Sequence, residues 1–110
     1  MTETKLPTAL WVDAVLRNLA AAGVSYYIVN RGEYAGGIVL LKLNGMNGKC
    51  RLIIQQRDMD GVLGWANALG DEFPPEKAAD DYIRRAVSRD PDLWAIEVED
   101  KAMVNPFDEK

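Results

Sequence analysis

The chain has 110 residues, 48% hydrophobic and 27% charged with a net charge of −4, the balance of one soluble globular domain with a single modest core. It holds no histidine and one cysteine, which excludes Ser–His and Cys–His nucleophile pairs, an intrachain disulfide, and a zinc site built on nitrogen and sulfur. The charge is uneven: residues 1–70 carry seven basic and five acidic groups, residues 71–110 six basic and twelve acidic, so phosphate backbones are disfavoured as partners.

Residues 1–5 lack the basic start and apolar stretch of a secretory signal. No apolar run approaches the ~20 residues that span a bilayer, so a cytoplasmic location without membrane contact is expected. Thr8 is placed to cap a first helix. Val12, Val15, Leu16 and Leu19 give its apolar stripe, Asp13 and Arg17 an i,i+4 pair, and Gly23 its stop. Residues 24–30 are β-branched and aromatic and read as strand one. Residues 31–37 form a glycine-punctuated connection, read as a wide hairpin turn or bulge. Residues 38–43 are apolar at both parities, which predicts a strand covered on both faces or lying centrally. Asn44 to Gly48 is a hairpin loop whose asparagines and glycines suit positive φ. Strand three, residues 49–57, alternates: Cys50, Leu52 and Ile54 face inward as core, Arg51, Gln55 and Arg57 outward with Ile53 among them.

Asp58 to Gly61 reads as a turn. Residues 62–69 are ambiguous between strand and helix, with a short strand around Trp65 preferred because Gly61 and Gly64 weaken a helix. Pro75 suits the first position of a second helix, with Ala79, Tyr82, Ile83, Ala86 and Val87 as its stripe. Acidic groups lie early in it and Arg84, Arg85 and Arg89 late, as the helix dipole favours. Asp90-Pro91 stops it. Residues 93–99 form the last strand, with Trp94, Ile96 and Val98 on one face and Glu97 and Glu99 on the other. Lys42, Arg51 and Arg57 are read as outward groups available to those carboxylates. The whole, 1–110, is a single α+β domain: a mostly antiparallel sheet of four or five strands with two helices, in the order α-β-β-β-(β)-α-β. An irregular C-terminal tail over 102–110 docks Phe107.

Pro91-Asp92 followed by Glu99-x-Lys101 matches on paper a magnesium-dependent nuclease signature, which needs its carboxylates on neighbouring strands around one metal. Here one strand separates them. Seven rises at roughly 3.3 Å put Asp92 and Glu99 about 23 Å apart, so no catalytic or metal site is assigned. A ligand site would need Arg31, Gly32 and Gly36, whose loop amides suit an anion, to converge with Glu97 and Glu99. Loop 31–37 has neither the Gly-Lys-Ser/Thr ending of a phosphate loop nor the strand-to-helix setting of a dinucleotide fingerprint, and no cofactor is expected.

Trp11-Val12-x-Ala14-x-Leu16-Arg17, Ala22-Gly23, Arg31-Gly32-Glu33-x-Ala35-Gly36, Leu41-Lys42-Leu43-Asn44 and Asp90-Pro91-Asp92-Leu93-Trp94-x-Ile96-Glu97-Val98-Glu99-Asp100 together resemble domain of unknown function family 1491. Those are short, uncharacterised alphaproteobacterial proteins. The resemblance covers most of the chain, is poorest over 58–75, and implies no activity. The expectation is a small non-enzymatic interaction module that binds another protein or itself through a free sheet edge or the face of strand two. Two alternatives stand beside it: a small-ligand or carboxylate–metal enzyme using loop 31–37 and the 97–100 strand end, and a weak nucleic-acid binder through Arg84, Arg85 and Arg89.

Overall fold

The computed structural model describes residues 6–108. Seven elements follow in the order α1 (Thr8–Ala21), β1 (Ser25–Asn30), β2 (Val39–Asn44), β3 (Cys50–Arg57), β4 (Leu63–Asn67), α2 (Glu76–Arg89) and β5 (Trp94–Glu99). The α+β class and the order of elements are those expected, and residues 62–69 do contain the short strand. Residues 101–108 hold no helix or strand, and Phe107 of that segment is buried.

The sheet order is β1-β5-β2-β3-β4. Every pairing is antiparallel except β2 with β5, which is parallel. β5 therefore sits between β1 and β2, so loop 31–37 is not a hairpin: it carries the chain across the end of a strand that comes later in sequence. β2 is the central strand, and Val39 to Leu43 are buried at every position. That explains its double apolar parity, and it removes the face of strand two as an exposed contact surface.

One sheet face is covered by α1 through Ala9, Val12 and Leu16, which join Leu41, Leu43, Trp94, Ile96 and Val98 in one core. α2 covers the other with Ala79, Ile83 and Ala86 against Leu40, Cys50, Leu52 and Ala95. Cys50 is buried as expected, its thiol pushed up in pKa by burial and directed at the Pro74 carbonyl oxygen. Phe107 packs edge-on against Trp11, ring centroids 5.1 Å apart, and pins the segment after β5 to the α1 face.

Helix ends depart from expectation in detail. Pro7 and Pro75 occupy the cap positions, and neither cap makes a side-chain hydrogen bond. Thr8 is the first residue of α1; its amide and hydroxyl both donate to the Ala35 carbonyl, and the Ala9 amide donates to that of Tyr34. The amides left orphaned at the start of α1 are thus satisfied by loop 31–37. At the other end Gly23 (φ 79°) closes a Schellman motif, with bonds from Gly23 to Ala20 and from Val24 to Leu19. In the β2–β3 turn, positive φ falls on Met46 and Gly48, while Asn44 and Asn47 accept from backbone amides instead.

Candidate functional site

The two most distinctive sequence blocks meet. Asn30, at the end of β1, donates from its side chain to the carbonyls of Leu93 (2.7 Å) and Pro91 (3.1 Å). The Glu33 amide donates to the Asp92 carbonyl, and the Trp94 indole donates back to the Glu33 carbonyl at 2.9 Å. Arg31 lies over the Trp94 ring, 5.0 Å from its centroid, and reaches Asp13, which turns to it rather than to Arg17. Gly32 and Gly37 are glycine because the backbone passes against Asp92: a Cβ on either would collide with the Asp92 carbonyl oxygen. Gly36 meets no such limit. The loop amides of Ala35 and Gly36 do hold an anion, but it is the carboxylate of Glu33, at 3.1 Å from each.

Glu97 and Glu99 lie at the far end of β5. Loop 31–37 touches the strand at Asp92–Trp94, whereas Glu99 pairs with Ser25 and Asn44. Five rises of strand, roughly 16 Å, separate Trp94 from Glu99. The structure does not bring Arg31, Gly32 and Gly36 together with Glu97 and Glu99. Nor does it fold Asp92 back to Glu99, since β5 runs unbroken between them. Among the described residues no cluster of acidic, cysteine or histidine side chains could hold a metal ion.

Glu97 belongs to a different constellation. Lys42, expected to point outward, is 2% exposed because β2 is central and α2 covers it. Its Nζ lies 2.8 Å from Glu76 and from Asp80, one helical turn apart on α2, and 3.7 Å from Glu97 on β5. Asn44 donates to the same Glu97 carboxylate at 3.0 Å. Burial opposes the lysine charge, but the hydrogen bonds to Asp80 and Glu76, with Glu97 beside them, outweigh it and raise the pKa above the ordinary lysine range. A lysine so held is a charged clasp between sheet and helix rather than a nucleophile. The signal was present in sequence as a lone lysine inside an apolar strand and two acids spaced i,i+4 on α2.

A concave surface lies elsewhere. A groove of about 800 Å³ opens on the α1 face between the start of α1 (Pro7, Thr8, Trp11), residues 36–38, and the ends of β3 and β4 (Gln55, Arg57, Leu63). Its rim exposes Leu6, Ile38 and Leu63, with Val62 adjoining. No carboxylate is among its described lining residues. It reaches the edge strand β4, whose five residues carry no charge, at the first of them, Leu63; Gly64 and Trp65 line a neighbouring concavity with Trp11, Phe107 and Asp108. The other free edge, β1, is interrupted by a bulge between Ile28 and Asn30, whereas the β3–β4 register is unbroken.

Arg84, Arg85 and Arg89 are exposed on the last turns of α2. Arg84 is already paired with Asp81, which Lys77 and Arg84 together hold below the usual carboxylate range. No described helix is long and apolar enough to cross a membrane.

A family model described as "Protein of unknown function (DUF1491)" matches residues 6–108. No curated protein matches the chain. The crystal structure of a DUF1491 family protein from Caulobacter crescentus is 30% identical, covers 96% of this chain and 97% of that one, and superposes with a TM-score of 0.82. An NMR structure of a DUF1491 family protein from the same organism gives 30%, 94% of each chain and 0.80. The solution structure of protein Atu0922 from A. tumefaciens, 21% identical over 87% of this chain and 86% of that one, has a TM-score of 0.65 and shows the shared fold alone.

Proposed function

The chain belongs to the DUF1491 family of proteins of unknown function, and from that premise we propose that it is a non-enzymatic interaction module that adds an extended segment of a partner protein to the β4 edge. The groove that meets the start of an unbroken, uncharged edge strand at Leu63 carries this reading. An edge strand offers a row of unpaired backbone donors and acceptors, and a neighbouring concavity gives alternate side chains of an added strand somewhere to go. The chemistry inside the fold supports the same conclusion. The lone thiol is buried with a raised pKa, and the buried lysine is bound by carboxylates.

The test places a photo-crosslinking amino acid at Leu63 and, as control, at Val29 of the opposite edge, in cells that express the protein. Adducts at 63 that map to an extended stretch of another chain, with slowed hydrogen exchange of β4 amides in the complex, are expected. A homodimer crosslinked through β4 would show a second copy to be the occupant and overturn the hetero-partner reading. Equal adduct yields at 63 and 29 would sink it altogether.

A further inference from the structure

The floor of the groove is built for an acid. Gln55 is 6% exposed and lines the groove. Its Oε1 accepts from the Val39 amide at 2.8 Å, which fixes the orientation of the side-chain amide. Its Nε2 has no acceptor among the described residues, yet it is not sealed in: the sole described side-chain polar atom both buried and unpartnered is Arg51 Nε. The donor end of Gln55 therefore remains accessible, in a residue that lines the groove. Two residues along the same side of β3, about 7 Å away, stands Arg57. Its Nη1 donates to the Gly61 carbonyl at 2.7 Å, and no described carboxylate lies within ion-pair distance of it. A cation and a half-committed amide thus share a concavity with no carboxylate among its described lining residues, in a chain of net charge −4. Around them Trp11, Ile38 and Leu63 supply apolar wall.

We propose that this groove is a carboxylate-binding site, and that the segment added at β4 is acidic: one of its carboxylates is received by Arg57 and the Gln55 amide while an apolar neighbour rests on Trp11, Ile38 and Leu63. The inference rests on the strand-addition reading above and names the chemistry of its partner. A charged donor facing a carboxylate makes the stronger class of hydrogen bond, and the glutamine adds direction. The Gln55 amide, which has no acceptor among the described residues, favours segments that bring an oxygen to it.

Three probes decide it, read by NMR on isotope-labelled full-length protein: an acetylated, amidated nine-residue peptide of alternating valine and glutamate, the same peptide with glutamine for glutamate, and sodium acetate. The acidic peptide is expected to shift the Gln55 side-chain amide, the Arg57 side chain and the β4 backbone amides together. The glutamine peptide should bind about five- to tenfold more weakly, and Arg57→Gln should bring the acidic peptide down to that level, the loss expected for one charge-assisted bond at a partly exposed site. Arg57→Lys should restore part of it. Equal affinity of the two peptides would overturn the carboxylate site and leave strand addition standing. Acetate shifting Gln55 and Arg57 while neither peptide moves β4 would make the groove a free-anion site and refute both. Silence from all three probes would refute both as well. The spectrum of Arg57→Gln away from the groove reports whether that variant remains folded.

Discussion

Two places on this molecule bring an arginine, backbone turns and glutamic or amide side chains together, and they are finished differently. At the junction of residues 30–37 with residues 91–94, donors meet acceptors from the same chain: Asn30 with Leu93, Trp94 with Glu33, Ala35 and Gly36 with the Glu33 carboxylate, Arg31 with Asp13 and the Trp94 ring. At the β4 groove, Gln55 and Arg57 each spend one hydrogen-bonding group on the chain and turn the rest outward. The first is the most conspicuous stretch of the sequence, and it builds architecture. Gln55 and Arg57 of the second lie outside the blocks that carry the family resemblance, and theirs is a surface with capacity to spare. Distinctive residues close a fold; unsatisfied ones mark where it meets something else.

The sharpest way to break the junction is Gly37→Ala. The new Cβ meets the Asp92 carbonyl and Trp94 Cδ1, 3.1 Å away, and both belong to the ordered crossing of the loop over β5. Backbone has to move, so a loss of about 3 kcal/mol is expected in urea unfolding. Gly36→Ala is the internal control, since its Cβ enters open space. Equal losses at 36 and 37 would show the close approach to be of no consequence.

Lys42→Met comes next. It leaves Glu76, Asp80 and Glu97 facing one another without their cation. Breaking a fully buried pair costs about 3–5 kcal/mol, and because Glu76 and Asp80 are about half exposed the expected loss here is nearer 2 kcal/mol. The pH dependence has a definite sign. The folded lysine holds its proton more tightly than the unfolded one, whose pKa is 10.5. The stabilisation is therefore complete below that value and is lost as pH rises through the higher folded one. The gap between wild type and Lys42→Met should stay constant from pH 6 to 9 and narrow above about pH 10.5. A gap that narrows toward acid alone would place its origin in the carboxylates.

Much of the architecture was legible from residue patterns. Double apolar parity marked β2 as central, Gly23 and Asp90-Pro91 marked helix ends, and Trp65 marked a strand between glycines. Strand order was not legible, because periodicity reports which face a side chain takes and not which strand stands beside it. The insertion of β5 between β1 and β2 turned an expected hairpin into a crossing, and it placed Lys42 beneath α2 instead of in solvent. The same ignorance hid the groove. Gln55 and Arg57 read as outward residues on one strand. That one would be 94% buried, with its carbonyl tied to Val39 sixteen residues earlier, depends on the start of α1 and residues 36–38 closing over the end of β3.

The smallest effects discriminate best between the two regions. Glu33→Ala removes an exposed carboxylate that satisfies two loop amides, and those amides lie beside the Tyr34 and Ala35 carbonyls that cap α1. A loss of about 1 kcal/mol is expected, the usual scale for an intrachain bond of this kind. Arg57→Gln removes a charge of similar exposure with one carbonyl partner, and stability should change by less than about 0.5 kcal/mol while binding of an acidic segment falls. Both variants alter one exposed, hydrogen-bonded charge, so composition alone predicts equal effects. If thermal or urea unfolding finds them equal, or finds Arg57→Gln the more damaging, then Arg57 serves the fold just as Glu33 does, and the groove loses its claim to be unfinished surface.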